Sequence, residues 1–437
     1  MRTLTITQLI DTQYRDFSLY TLEHRALPYL IDGLKPVNRR LLWIAYRSFK
    51  NEKVKVAKLA GATLSIHPHG SSPAEDACSN MAQRFSGATN INYFDGYGAF
   101  GSKIAGPGNA IGAARYVSVK LSENFHKIMG VDLDIVQTVP GYDDVEHEPV
   151  SFFPIVPTVL LNPLQGIAVG FACTILPRKL EDLVHCQLAH LNGKGFHEPQ
   201  PHYDGFRGTI TKTGDNSWET KGVFSKSGRK LTITEVPIGY TRESYIRVLD
   251  TLEEKEIITS YTDECTDEFL FSVNLKSDLN EQEIYEKFKL IGSLSENLTV
   301  IDFDKKVRKM TITEVIKEFT DQRFTIYFKR YLHEFQTNKA DFEFKRDLMK
   351  VIKKGLFKKF PDLKKTEIAE LLKENEIKPD NIQRIIQTPI YRFGKEEVEK
   401  LEEELKVLKE ILERLVLLCK NPDLRKVEYV NELKAIK

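Results

Sequence analysis

The sequence predicts a multidomain α+β protein, and three observations carry that reading. Its 437 residues exceed what one compact core usually holds. From about residue 151 to 307, apolar and polar positions alternate over short runs, as they do in half-buried strands. Beyond that region the chain becomes charged and helical, with leucines at alternating three- and four-residue steps, the spacing of a coiled-coil seam. The balance of 41% hydrophobic and 29% charged residues is that of a chain that folds, and is neither disorder-like nor membrane-like.

Taken in order, residues 1–22 form an N-terminal arm. Asp11, Arg15 and Asp16 interrupt any continuous apolar run there, so the arm is not a signal peptide. From Glu23 to Phe100 the chain reads as short helices punctuated by Asp32-Gly33, Lys35-Pro36, Pro68 and Gly70, the texture of a small helical DNA-binding unit. The clearest helix start is Ser72-Pro73-Ala74-Glu75. Ser72 is expected as N-cap, Pro73 as first helical residue and Glu75 as the other half of a capping box, with Asp76 complementing the dipole and Ala77, Met81 and Phe85 on one face.

Phe152 to Pro177 contains no charged residue and is long enough to span a membrane. Pro154, Pro157, Pro163 and Pro177 divide it instead into buried strands and turns. Lys230 to Val236 alternates as a strand. Val398, Leu401, Leu405, Leu408, Leu412 and Leu415 form a heptad seam, and Phe324, Phe328, Tyr331, Phe335, Asn338 and Phe342 show the same rhythm earlier. Two long helices pairing antiparallel would satisfy both, with residues 351–392, interrupted by Gly355, Pro361 and Pro379, as a small tip. This region by itself also admits an ordinary helical bundle.

Five scattered cysteines without a CxxC pair disfavour a disulfide framework and a zinc ribbon, and fit a reducing cytoplasm. The net charge of +1 hides an asymmetry: residues 1–130 hold sixteen Lys/Arg against nine Asp/Glu, the kind of local surplus that attracts a phosphate backbone. Gly96 to Gly101 spells GxGxxG, yet a poor central strand precedes it and no Rossmann helix clearly follows. Asp132/Asp134 and Asp302/Asp304 have the spacing of a metal-binding pair but no third acidic partner, so no metal is assigned to this chain. No P-loop sequence is present. His67-Pro68-His69 lies next to a helix start, where phosphate is attracted, and two such histidines are often purely structural.

Several of these segments together resemble one family, the DNA-cleavage subunits of type II topoisomerases, namely the A subunits of DNA gyrase and topoisomerase IV. The resemblance runs through Arg25-Ala26-Leu27-Pro28, Asp32-Gly33-Leu34-Lys35-Pro36-Val37, Arg39-Arg40, His67-Pro68-His69-Gly70, Met81-Ala82-Gln83, Phe100-Gly101-Ser102, Ala113-Ala114-Arg115-Tyr116 and Gly166-Ile167-Ala168-Val169-Gly170. It implies a winged-helix cleavage domain over 23–150, an α/β tower domain over 151–307, and over 308–437 a long antiparallel coiled coil with a small helical gate. The short chain looks most similar to bacteriophage members.

By the same resemblance Tyr116 is the nucleophile that becomes linked to a DNA 5′ phosphate. A tyrosine hydroxyl, with a reference pKa of about 10, is a weak nucleophile until its proton is accepted. Arg115 cannot be that base, but its fixed guanidinium suits the phosphate and the charge of the transition state. The resemblance adds His69 and Arg25 at that phosphate, and His67, Arg40, Arg39 and Lys35 as DNA contacts. Ile167 becomes a wedge that bends the duplex, and Ser72 and Asp76 become positions of quinolone-type inhibitor contact. It implies double-stranded DNA as substrate and a homodimer within a hetero-oligomer. Mg2+ and ATP would be bound by metal-binding (Toprim-type) and ATPase partner subunits, not by this chain, and no membrane is involved. The chain ends without a DNA-wrapping propeller, so relaxation or decatenation is expected over negative supercoiling. Without the resemblance, two alternatives stay open: a His-x-His, tyrosine-dependent nickase, and a non-catalytic DNA-binding scaffold.

Overall fold

The chain is described by a computed structural model over residues 5–68, 70–142, 144, 146–168 and 170–436. It is an α+β fold that divides into two units, one running to Arg323 and including the residues from Glu432 on, the other Phe324–Asn431.

In the first unit, α1 (Ile6–Leu9) opens with a Thr5/Gln8 capping box and continues through π-type turns into α2 (Arg15–Thr21) and the turn Leu22–Ala26. This arm is largely exposed until Leu22 and Ala26 enter the core. α3 (Pro36–Phe49) has proline at its first position, where a missing N–H costs nothing. β1 (Val54–Lys55), α4 (Val56–Ala62), a 3-10 turn over Thr63–Ser65 and α5 (Ser71–Asn80) follow. β2 (Phe94–Tyr97) and β3 (Ser118–Leu121) complete an antiparallel sheet of order β1-β3-β2, with β3 central. Leu41, Leu42, Val56, Leu59, Cys78, Phe94, Val119, Phe125 and Phe152 form the core between these helices and the sheet. The GxGxxG segment thus begins on an edge strand and runs into a loop, which is why it makes no dinucleotide turn.

The helix start at residue 72 needs correction. α5 begins at Ser71, two residues before the expected Pro73, Gly70 is its N-cap and no side chain caps it. Pro73 sits in the first turn, where its lack of an N–H is tolerated, Asp76 lies beyond that turn, and Ala74, Cys78 and Met81 carry the buried face.

Two short hairpins come next, β4 (Thr138–Pro140) with β5 (His147–Pro149), and β6 (Leu164–Ala168) with β7 (Phe171–Ile175). The charge-free stretch is therefore a 3-10 turn and a hairpin, and among the described residues no helix is long and apolar enough to cross a membrane. After α6 (Leu180–Leu191) come β8 (Thr209–Gly214), β9 (Ser217–Lys221), β10 (Val223–Ser227), β11 (Lys230–Glu235), α7 (Arg242–Glu254), β12 (Ile258–Asp263), β13 (Phe271–Leu275), α8 (Glu281–Lys287) and β14 (Ile291–Ser295). Their sheets are ordered β10-β11-β13-β12 and β14-β9-β8. The alternation expected along 230–236 places Leu231, Ile233 and Glu235 inward, the first two against Tyr245, Leu249, Phe271 and Phe288. β15 (Thr299–Ile301) and β16 (Val307–Lys309) form a final pair.

α9 (Ile312–Lys353) is a single long helix. In the second unit it is met by α10 (Lys365–Glu374), α11 (Pro379–Ile386), α12 (Lys395–Lys420) and α13 (Pro422–Ala435). Ion pairs Lys345–Glu404 and Lys353–Glu402 set α12 antiparallel to α9, and the seam leucines Leu401, Leu408 and Leu415 are buried. Phe328 departs from the expected seam. It is exposed beneath the Arg425 guanidinium, while Tyr327 is buried against Tyr429 at 4.8 Å between ring centroids. A third helix, α13, packs on α9 there and turns its buried stripe by one residue. The tip has its own core of Leu348, Leu372, Ile382, Ile385 and Phe393.

Asp32 joins the parts of the first unit. Its carboxylate accepts from Arg39 Nε at 2.6 Å and Nη2 at 2.9 Å, from the Leu34 amide at 3.1 Å and from the Phe152 amide at 3.0 Å. Its carbonyl accepts from the Thr158 hydroxyl at 2.8 Å. Removing one partner of such a buried pair leaves the other charge uncompensated, so Asp32→Ala is expected to lower stability by about 3–5 kcal/mol. Denaturant unfolding monitored by tryptophan fluorescence would register this as a lower midpoint.

Candidate active site

Arg115 and Tyr116 lie on a turn fixed at both ends. The loop after β2 closes at its base through a Phe100/Ile111 bridge and a Gly112 N–H to Ala99 carbonyl bond of 2.9 Å. The chain then turns tightly, with the Tyr116 amide donating to the Ala113 carbonyl at 2.8 Å, and enters the central strand β3. α4 holds the turn from outside, since the Ala57 amide donates to the Ala114 carbonyl at 3.1 Å and Lys55 Nζ to the Tyr116 carbonyl at 2.6 Å. The side chains project outward: Tyr116 is 68% exposed and the Arg115 guanidinium lies 4.8 Å from its ring centroid. Among the described residues no side chain bonds the Tyr116 hydroxyl, leaving it open to a substrate.

A second cationic group surrounds a cavity of about 370 Å3 lined by His24, Arg25, Arg40, His67, Gly70 and Pro73. Arg25 comes from the turn Leu22–Ala26, Arg40 from the second turn of α3, and His67 from the loop entering α5. The start of α5, with no side-chain cap, adds the positive end of a helix dipole to this cavity. Arg40 is largely buried and shares its charge with Glu148. Tyr142, 72% exposed, meets the His67 ring edge-on at 6.4 Å. His69 lies outside the described residues.

The two groups attach to opposite ends of α4 and the 3-10 turn that follows it. Ala114 is bonded to the first turn of α4, whereas His67 follows the 3-10 turn after α4. Seven α-helical and three 3-10 residues separate the two ends by about 15 Å of helical rise.

Arg39 must be withdrawn from the DNA contacts expected of the sequence. It is 4% exposed and its guanidinium is spent on Asp32. Lys35 is also engaged internally: its ammonium donates to the Gln165 carbonyl at 2.7 Å, and burial lowers its pKa. What it holds is the β6/β7 hairpin that presents Ile167. That side chain is 88% exposed, which removes burial as its explanation. Gly166 beside it sits on the Ala26 carbonyl, closer than a Cβ atom could ever approach. Ser72 and Asp76 lie one helical turn apart on the exposed side of α5, so neither caps the helix and both are accessible.

The carboxylates with metal-pair spacing are committed elsewhere. Asp132 is buried in an ion pair with Arg323, and Asp302 accepts the amides of Asp304 and Lys306 in its own turn. They do not fit a metal centre. Sequence reading assigned no role to Tyr142, Glu148 or Lys103, whose partners lie far away in sequence. Gln83 stood in a quoted motif without a role.

Gly166→Ala is expected to push the hairpin off the Ala26 carbonyl at an overpacking cost of about 1–3 kcal/mol. Hydrogen exchange would then show faster amides across residues 164–175 than across β3.

A family model for the A subunit of DNA gyrase and topoisomerase IV matches residues 25–434. The chain is 33% identical over 426 residues to the DNA topoisomerase medium subunit of Enterobacteria phage T4, with 93% of each covered. It is 29% identical over 431 residues to the mitochondrial DNA topoisomerase 2 of Dictyostelium discoideum, covering 90% of this chain and 33% of that protein. The solved DNA-binding, cleavage and re-ligation domain of Plasmodium falciparum topoisomerase II superposes with a TM-score of 0.86 at 25% identity, over 99% of this chain and 64% of that one. With the family model spanning nearly the whole sequence, the chain belongs to the family of DNA gyrase and topoisomerase IV A subunits, the DNA-cleavage subunits of type II topoisomerases.

Proposed function

We propose that Tyr116 is the nucleophile of a reversible DNA break. The observation that carries this is its exposed side chain, with the Arg115 guanidinium over its ring, on a turn anchored at both ends. The phenol gives its proton to solvent water and its oxygen attacks a DNA phosphorus. The P–O3′ bond breaks, the 3′ oxygen leaves and takes up a proton, and the 5′ phosphate stays on Tyr116. Religation is the reverse and needs no nucleotide, because the phosphotyrosine ester conserves the energy of the broken bond. Arg115 neutralises charge on the five-coordinate phosphorus.

Arg25 and His67 hold the phosphate backbone at the second cationic cavity, Arg40 supports it from the cavity wall while sharing its charge with Glu148, and His69 is assigned to the same phosphate. The cavity's separation from Tyr116 along α4 supports a homodimer in which one chain presents Tyr116 and its partner presents the cavity to the same phosphate. Two such centres cut opposite strands, and a second duplex passes through the break. Ile167, an apolar side chain on a braced hairpin, enters a base step and bends the duplex. Residues 23–150 serve as the cleavage domain, 151–307 as the tower and 308–437 as coiled coil and exit gate.

Magnesium and ATP are assigned to partner subunits of Toprim and ATPase type, within a complex acting in the cytoplasm of a bacterial host. A divalent ion on the partner would assist the departing 3′ oxygen. Relaxation and decatenation are the reactions assigned to this assembly. Ser72 and Asp76 are assigned as contacts for inhibitors beside the break.

Detergent trapping on labelled duplex tests the reading. The full chain with its partner subunits is expected to yield adducts, and Tyr116→Phe none at unchanged duplex affinity. Equal adducts from both would remove Tyr116 from the chemistry. Adducts formed by the chain alone on single strands would indicate a nickase, and none in any mixture a scaffold. Ile167→Ala is expected to lower the bend, read by fluorescence transfer across the duplex, together with adduct yield by about ten-fold.

A further inference from the structure

Gln83 sits in the turn after α5 and is 1% exposed, so DNA does not reach it. Its side-chain amide nevertheless spans the loop that leads to the reacting turn. Nε2 donates to the Phe100 carbonyl at 2.9 Å, and Oε1 accepts from the Gly108 amide at 3.1 Å. A carbonyl can only accept and a backbone amide can only donate, so one orientation of the amide satisfies both. Gly101 next to Phe100 has a φ of +81°, and a Cβ there would press on the Asn109 carbonyl and on Gln83 Nε2.

The far side of the same loop is pinned to the α/β part of the unit. Lys103 Nζ, 8% exposed, bonds Glu235 at 2.7 Å and Glu268 at 2.8 Å. Ile104 packs against the core beneath β11 and β13, and its carbonyl accepts from the Arg242 amide at 2.7 Å. Gln83 closes the loop at Phe100 and Gly108, four residues before Gly112 begins the turn of Arg115 and Tyr116. Packing alone would be served by a leucine or methionine of similar size. Only a neutral group with a donor and an acceptor side by side satisfies both the Phe100 carbonyl and the Gly108 amide where the buried Gln83 side chain meets them.

We propose that Gln83 is a positioning residue for strand cleavage, setting through the Phe100–Gly108 loop the place where Tyr116 meets the phosphate. This rests on Tyr116 being the nucleophile. Gln83→Leu keeps the volume and removes both bonds. Gln83→Glu offers a carboxylate that repels the Phe100 carbonyl. Its protonated form, though, donates to Phe100 and accepts from Gly108 as the amide does. A carboxyl buried at this site titrates above its ordinary range, so the protonated form gains as pH falls.

Two measurements test the proposal. Hydrogen exchange on the full chain alone should show the Gly108 amide exchanging about five-fold faster in Gln83→Leu, with α3 amides unchanged. In the reconstituted complex, adduct yield at saturating duplex should fall about ten-fold or more in Gln83→Leu at unchanged duplex affinity. The Gln83→Glu yield, taken relative to wild type at each pH, should climb between pH 8 and pH 6, while the Gln83→Leu ratio stays flat. Wild-type adduct yield in Gln83→Leu, or a flat Gln83→Glu ratio, overturns the proposal, as does unchanged Gly108 exchange. A general loss of protection in Gln83→Leu makes Gln83→Glu at low pH the deciding variant. Wild type and Tyr116→Phe run alongside: absence of Tyr116-dependent adducts in wild type refutes the nucleophile assignment, whereas the Gly108 exchange judges the loop clamp by itself.

Discussion

The buried carboxylate of Asp32 is the point on which the first unit turns. A charge removed from water is tolerated only where its oxygens are fully bonded, and those bonds come from separate stretches of chain. Arg39 ties Asp32 to α3, the Phe152 amide ties it to the charge-free stretch, and the Thr158 hydroxyl fixes the turn that leads into the β6/β7 hairpin. Arg39 in turn lies over the Tyr29 ring at 4.7 Å, and the bridge from Tyr29 to Ile301 brings in β15. α3, the charge-free stretch and the turn before the β6/β7 hairpin are thus joined through one buried anion.

The cationic surplus of residues 1–130 divides accordingly. Arg39 and Lys103 spend their donors inside the protein, Arg40 shares its charge with Glu148, and Lys35 donates to the Gln165 carbonyl. Arg47, Lys53 and Lys58 lie over Trp43, Tyr97 and Phe49, where a cation is retained at the surface. The field that a phosphate backbone would meet is thus weaker than the count of sixteen cations implies, and it is carried by side chains that remain exposed.

This division shows what was legible in the sequence. Arg115-Tyr116 was singled out by resemblance to a family and not by its residues alone, whereas the strand at 230–235 and the α12 seam were legible because periodicity is local. Arg39 was assigned to DNA by resemblance, which gives no sign that its guanidinium turns inward to Asp32. Asp32 lies only seven residues away, but the bonds that make it a hub come from Phe152 and Thr158, more than a hundred positions on. The cap at Ser72 failed because the first turn of α5 tolerates proline at more than one position. The Phe328 seam failed because a third helix, invisible to a two-helix pattern, claims Tyr327. The split between Tyr116 and the Arg25/His67 cavity could not be read at all, since it depends on the length of α4 in three dimensions.

The anchored turn beneath Tyr116 has a thermodynamic consequence. A flexible segment gives up chain entropy when its side chain is captured, and regains it on release. Here the backbone on either side is ordered before any substrate arrives, so capture and release differ little in conformational freedom. The free energies of the open and sealed strand can then lie close together. With Tyr116 as the proposed nucleophile, a break made on such a base would reseal without a search for its lost geometry.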